Sequence, residues 1–146
     1  MYNRLLNYVS LHTILVANQF VFREAHSTSV AVIRMVNDIS NEIDNNIYSV
    51  DLSKAFDMVN HKILLQKLFH YGNRGIILEW FDDYLTNRTQ YVSIMNTYSK
   101  IQSIQCGAPQ GSILGPRLFI LFTNDIINTS PITEFITFAN DTNFFF

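Results

Sequence analysis

The segment from Ser112 to about Asn128 constrains this chain most, because Leu118, Phe119, Leu121 and Phe122 place large apolar side chains on almost every side of a predicted helix. A helix without a polar face is stable in water only when neighbours cover it on several sides. The rest of the chain is therefore expected to be built around it. With 146 residues, 48% of them hydrophobic, there is enough apolar material along the whole length for one core. Twelve phenylalanines and seven tyrosines make that core aromatic, and the reading is a single domain over residues 1–146.

The remaining periodicities supply the covering elements. Ser27 or Thr28 can cap a helix in which Val32, Ile33, Val36, Ile39 and Ile43 recur at three- and four-residue spacing, ending near Asp44-Asn45-Asn46. Ile47 to Leu52 alternates as a strand, placing Asp51 late in it. From His61 the pattern is helical through Leu64 and Leu68 to a stop at Gly72, and a second helix runs from about Gly75 through Trp80 and Phe81 to Leu85. Thr89–Met95 and Ile101–Gln105 read as a hairpin around a polar turn near Asn96-Thr97. Gly107 to Gly111 interrupts the pattern before Ser112 opens the central helix. Ile132–Ala139 and Thr142–Phe146 then form a last hairpin, with Asn140-Asp141 as residues that tolerate the positive φ of a tight turn.

Several function classes fall away. The formal net charge of −2 argues against strong electrostatic binding of nucleic acid by the chain as a whole, so such a role must rest on a local site. A single cysteine, Cys106, excludes an intrachain disulfide framework and a cysteine zinc cluster, makes a disulfide-linked partner unexpected and fits an intracellular, reducing location. No apolar run reaches the length of a membrane span, so no membrane partner is expected. No strand, Gly-rich turn and helix follow one another as a dinucleotide or P-loop site requires. His12, His26, His61 and His70 lack metal-ligand spacing and are assigned packing or surface roles, as is Cys106; Glu79, Asp82 and Asp83 form a solvated helix face.

What remains is carboxylate chemistry. Asp51 at a strand end and Asp141 at a hairpin turn can be brought to neighbouring points of one sheet, where two carboxylates suit Mg²⁺ with water and phosphate completing its octahedron. The same two acids are equally a solvated strand end and a good turn former.

Longer strings add what spacing cannot. Asp51-Leu52-Ser53-Lys54-Ala55-Phe56-Asp57, then Gly107-Ala108-Pro109-Gln110-Gly111-Ser112, then Phe138-Ala139-Asn140-Asp141 stand in this order. Between and around them lie Gln19 to Arg23, Tyr71 to Gly75, Trp80-Phe81, Arg88-Thr89-Gln90 and Asn124-Asp125. Over roughly residues 4 to 146 the chain resembles the reverse transcriptase domain of non-LTR, LINE-like retrotransposons of the jockey-like kind.

That resemblance implies an α+β fold: an antiparallel polymerase palm sheet packed on helices, with partial fingers, and with the thumb and the end of the palm absent. It implies RNA-directed DNA polymerisation with Mg²⁺, and RNA template, DNA primer and dNTPs as partners. Asp51 would be the first metal-binding aspartate, with the Leu52 carbonyl as a further oxygen ligand and Asn140 and Asp141 as the second acidic position. Phe56 would lie beneath the incoming sugar and exclude a 2′-hydroxyl; read without the resemblance it is a core aromatic. Gln110 and Gly111 would approach the nucleotide in a loop that equally serves as a strand-to-helix connection, and Arg23 would contact the triphosphate unless it is only a surface charge.

Two positions depart from the family pattern. Asn140 stands where active members carry the first of two aspartates, so one carboxylate of a two-metal site becomes a neutral amide. Metal binding is expected to be weakened and polymerisation lost or nearly so. Val21 stands where the family usually has glycine, which puts the triphosphate contact of Arg23 in question. The alternative is a non-catalytic nucleic-acid-binding or interaction module that retains the palm fold.

Overall fold

A computed structural model describes residues 1–16, 19, 28–41, 47–52, 54–130, 134–138 and 141–145. Helix α1 (Tyr2–Leu11) precedes α2 (Thr28–Asn41) and strand β1 (Ile47–Asp51). Helices α3 (His61–His70) and α4 (Ile76–Leu85) follow, then four two-residue strands, β2 (Thr89–Gln90), β3 (Ser93–Ile94), β4 (Thr97–Tyr98) and β5 (Gln102–Ser103). Helix α5 (Gly115–Thr123) and a 3₁₀ turn at Ile126–Thr129 lead to β6 (Glu134–Phe138) and β7 (Asp141–Phe145). Helices together with small antiparallel sheets make this an α+β fold.

The expected central helix is central. Leu118, Phe119, Ile120 and Leu121 are each at most 2% exposed. Four consecutive residues at 100° intervals face nearly all round a helix, so cover on every side is what their burial requires. Each such side chain contributes about 1.5–3 kcal/mol when removed from water. Leu64 and Leu68 of α3 and Phe81 and Leu85 of α4 belong to the same core, and Leu5 and Val9 of α1 close it. Lys67 of α3 reaches the Phe122 carbonyl and the Asp125 carboxylate at the C-terminal end of α5, where a cation also complements the helix dipole.

Local signals fix the ends of α3. The Asn60 side chain accepts the Ile63 N–H at 3.1 Å, satisfying one of the donors that a helix start leaves orphaned. At the other end the N–H groups of Gly72 and Asn73 bond the carbonyls of Phe69 and Leu68, both at 3.0 Å, which is the Schellman arrangement.

In three places the structure moves a predicted boundary. Helix α5 starts at Gly115 instead of Ser112 and ends at Thr123 instead of Asn128. The Ser112 hydroxyl donates to the Pro109 carbonyl at 2.7 Å and accepts the Gly115 N–H at 2.9 Å, so it closes the preceding turn. The middle hairpin turns at Met95-Asn96, with φ of 45° and 62°, one residue before the predicted position. In the last hairpin Asp141 is already in the ladder, opposite Phe138. The residues between those partners are 139 and 140, which lie outside the described residues. Val32, Ile33 and Val36, read as the apolar stripe of α2, are exposed.

The main sheet has the order β1-β7-β6, and both pairings are antiparallel. Strand β7 therefore lies between the other two, with its backbone paired on both sides. In the middle hairpin β3 and β4 pair Ser93 with Tyr98, while β2 and β5 pair Thr89 with Ser103. The sum of paired numbers rises from 191 to 192 between the rungs, so the returning strand carries one extra residue near Lys100-Ile101, a β-bulge opposite Tyr91.

Candidate functional site

Asp51 is the last residue of β1 and Asp141 the first of β7, and they are direct cross-strand partners. The backbone thus brings together two acid-bearing positions far apart in sequence. Directly opposed antiparallel residues have Cα atoms about 4.5–5.5 Å apart. Asn140, Arg23 and Val21 lie outside the described residues. Among the described residues no group of three or more His, Cys, Asp or Glu side chains is gathered as a metal cluster.

The chain leaves β1 through Leu52, whose carbonyl accepts the Ala55 N–H at 3.1 Å and, among the described residues, keeps one lone pair free. A turn follows over residues 54–58, with Lys54 at φ 54°. Phe56 in that turn is half-buried, its ring 4.4 Å from that of Phe119 at an interplanar angle of 31°. The structure thus ties Phe56 to the central helix, the packing position that composition alone suggested.

The turn is laced to the loop at Gly107 to Gly111. The Ala108 N–H donates to the Phe56 carbonyl at 2.7 Å and the Gly107 N–H to the Val59 carbonyl at 2.8 Å. His61, buried at the start of α3, holds the Gly107 carbonyl at 2.9 Å through Nε2. Gly107 has φ +100°, and a Cβ there would meet the Asp57 backbone at 3.3 Å, so both conformation and approach call for glycine. A Cβ on Gly115 would stand 2.4 Å from the Pro109 carbonyl oxygen, which makes the end of the loop equally intolerant.

Gln110 is exposed, and its Nε2 donates to Asp57 Oδ1 at 2.6 Å. Gly111, at φ +75°, has no atom within 4 Å of where a Cβ would stand. The sequence points to Gln110 and Gly111 but not to Asp57, which holds Gln110, or His61, which holds the loop at Gly107. Asp57 lies within the Asp51–Asp57 motif, and only the fold reveals its partner.

The sequence alone assigns Asn124 no role. It is buried, accepts the Val16 N–H at 3.0 Å and donates to the Ile14 carbonyl at 2.9 Å and the Tyr71 hydroxyl at 3.4 Å. It clasps the segment after α1 to the end of α5. Burial raises the Tyr71 phenol above its usual range; the Asn124 hydrogen bond works against this and the neighbouring Asp125 charge adds to it.

The fold is thus an α+β chain in which two acid-bearing strands pair antiparallel and a Gly-Ala-Pro-Gln-Gly loop is tied to the turn that follows the first of them. The chain belongs to the reverse transcriptase (RNA-dependent DNA polymerase) family, which it matches over residues 1–146. It is 34% identical over 151 residues to the RNA-directed DNA polymerase from mobile element jockey of Drosophila melanogaster, an alignment covering 96% of this chain and 16% of that protein. A second Drosophila melanogaster protein, named "Probable RNA-directed DNA polymerase from transposon BS", is 36% identical over 131 residues, covering 85% of this chain and 14% of the relative. The jockey polymerase of Drosophila funebris is 30% identical over 135 residues, with 90% and 15% covered. The chain thus spans about 15% of the length of these relatives. No helix among the described residues is long and apolar enough to cross a membrane.

Proposed function

We propose that this chain is a palm-containing portion of an RNA-directed DNA polymerase from a non-LTR retrotransposon, built for templated nucleotidyl transfer and disabled or nearly so by Asn140. The observation that carries this reading is the register of β1 against β7, which sets Asp51 opposite Asp141. RNA template, DNA primer and dNTPs are the corresponding partners.

The donor set fits a hard divalent cation such as Mg²⁺. Two carboxylate-bearing positions and the free lone pair of the Leu52 carbonyl are all oxygen donors, with no sulfur or imidazole among them. Asp51, Leu52 and Asp141 would hold the ion, and Asn140 would add a neutral oxygen in place of a charged one. When bound, such an ion offsets charge on the transferring phosphoryl group and on the leaving oxygen. The chain's own contribution is positional. Phe56, fixed against Phe119, would bound the sugar pocket and exclude a 2′-hydroxyl. Gln110 and Gly111 would meet the nucleotide from a loop already anchored to the 54–61 turn, and Arg23 would meet its triphosphate.

The test is metal affinity followed by extension. Mn²⁺, titrated by electron paramagnetic resonance, should bind weakly to the unaltered chain, more tightly after Asn140→Asp, and not after Asp51→Asn. Incubation of the unaltered chain with primer, RNA template and dNTPs should give no extension product. Extension would overturn the assigned effect of Asn140, and an Asn140→Asp chain that gains no Mn²⁺ affinity would overturn the metal site. Asn140 itself favours a second reading, a non-catalytic nucleic-acid-binding module that keeps the palm fold. Salt-dependent binding of primer-template without divalent metal, alongside failure of the Asn140→Asp rescue, would select it.

A further inference from the structure

The charge of this chain is unevenly distributed. From Tyr84 to Asn124 there is no Asp or Glu, but there are three cations, Arg88, Lys100 and Arg117, although the whole chain carries a net −2. Where that stretch meets the start of α3, an open groove of about 780 Å³ runs along the base of the middle hairpin. Lys62 and Arg88 line it beside Thr86, Thr89, Ser103 and Gln105, and no acidic residue does. Neither cation has an ion-pair or hydrogen-bond partner for its side chain among the described residues. Two uncompensated cations among hydroxyls and amides are suited to phosphate oxygens and poorly suited to an apolar or cationic ligand.

The hairpin carries the second part of the argument. Tyr91 follows groove-lining Thr89 by two residues, at the join between β2 and β3, so its backbone lies within about 7 Å of that lining. Tyr91 and Tyr98 lie with ring centroids 5.8 Å apart, and both are largely exposed at 59% and 64%. Exposed aromatic faces next to a cationic groove are how sequence-tolerant single-strand binding surfaces are made, because every base has a face to stack.

We infer that this groove and hairpin form a subsite for one nucleic-acid strand, in which Lys62 and Arg88 contact backbone phosphates and Tyr91 and Tyr98 receive stacked bases. The inference rests on the reading of the chain as part of a polymerase and deepens it by locating a strand contact outside the β1–β7 register. The shared ligand chemistry is a phosphodiester backbone, whether of template RNA or primer DNA.

Fluorescence anisotropy with the full chain and labelled single-stranded RNA and DNA oligonucleotides, without divalent metal, tests it. The unaltered chain should bind with affinity that falls as salt rises. The double variant Lys62→Gln/Arg88→Gln should bind at least tenfold more weakly and lose about 1.4 from its log–log salt slope, at roughly 0.7 for each phosphate contact on a single strand. Tyr91→Ala/Tyr98→Ala should lose roughly tenfold or more with the slope unchanged. Arg74→Gln, at an exposed cation stacked on Phe69 and outside the groove, should change neither. Tighter binding of RNA would identify the template as the occupant, tighter binding of DNA the primer, and equal binding a backbone-only contact. Bromouracil photocrosslinking to the unaltered chain, with the adduct mapped to Tyr91 or Tyr98, supports the site independently of any variant's folding. Normal affinity in the double glutamine variant, or adducts mapping only elsewhere, would overturn the subsite and leave the polymerase reading standing. Absence of salt-dependent binding by the unaltered chain would overturn the subsite together with the nucleic-acid role on which it rests.

Discussion

The loop-and-helix region at 107–123 and the hairpin at 89–103 are built by opposite means. In the first, buried side chains surround α5, and the Gly107–Gly111 loop is tied to the 54–61 turn by Phe56, Val59 and His61. In the second, the strands pair in two-residue rungs separated by a bulge, and Tyr91, Val92, Ile94, Met95, Tyr98 and Ile101 all remain exposed. A two-stranded ribbon of this kind gains little from its own packing. The contrast separates what must be held still from what is free to adapt: the loop presenting Gln110 is braced, while the ribbon offers surface.

The largest effect should come from the braced region. Phe119→Ala removes a ring that is 1% exposed and in contact with Phe56, and should cost about 3–5 kcal/mol in urea denaturation. Ile94→Ser, at an exposed hairpin position, should stay within about 0.5 kcal/mol. Comparable losses for the two would break the contrast.

Asn124→Ala sharpens it. That change removes the amide that donates to the Ile14 carbonyl, and a carbonyl left unpaired out of water costs about 1–3 kcal/mol, so a loss of about 1–3 kcal/mol is expected in the same assay. A loss below about 0.5 kcal/mol would mean that water replaces the clasp.

The smallest effect is alkaline. Burial raises the Tyr71 phenol in the folded chain, so the unfolded chain loses this proton first as pH climbs. The associated stability is complete below the ordinary tyrosine value of 10.0 and is lost as pH rises from there through the folded value. Melting followed by circular dichroism on both sides of that value should show the decline, and Tyr71→Phe should flatten this part of it.

Much of the braced region was legible in the sequence, because an all-round apolar helix has few places to sit and Gly72 marks a helix end by its own chemistry. The errors have particular causes. Ser112 looks like a cap, yet its hydroxyl is used across the Pro109–Gly115 turn. Asn96 drew the hairpin turn one residue too far, since Met95 gives no sign of its positive φ and the bulge near Lys100 changes no composition. Helix α1 went unread because Met1 supplies no side-chain cap, although Leu5 and Val9 stand at helical spacing. For the candidate site, alternation identified the strand bearing Asp51 and β-favouring composition the last hairpin, but Asp141 was expected in its turn rather than in the ladder, and the order of the strands was not legible. Period-two patterns say which residues share a face and are silent on which strand lies alongside. The contacts from Asp57 to Gln110 and from His61 to Gly107 are equally invisible, since they join side chains and backbone from distant segments.

The central position of β7 bears on how the chain acquires its shape. Pairing Asp51 with Asp141 closes a loop of ninety residues (141 − 51), whereas α3 and α4 are neighbours in sequence and meet with little entropy lost. Contact order thus rises from the helical body to the sheet, and loop closure makes the β1–β7 pairing entropically costlier than the docking of α3 on α4. A ribosome must release β7 before β1 can find its neighbour, so a halt in translation ahead of residue 141 leaves the helices without this pairing.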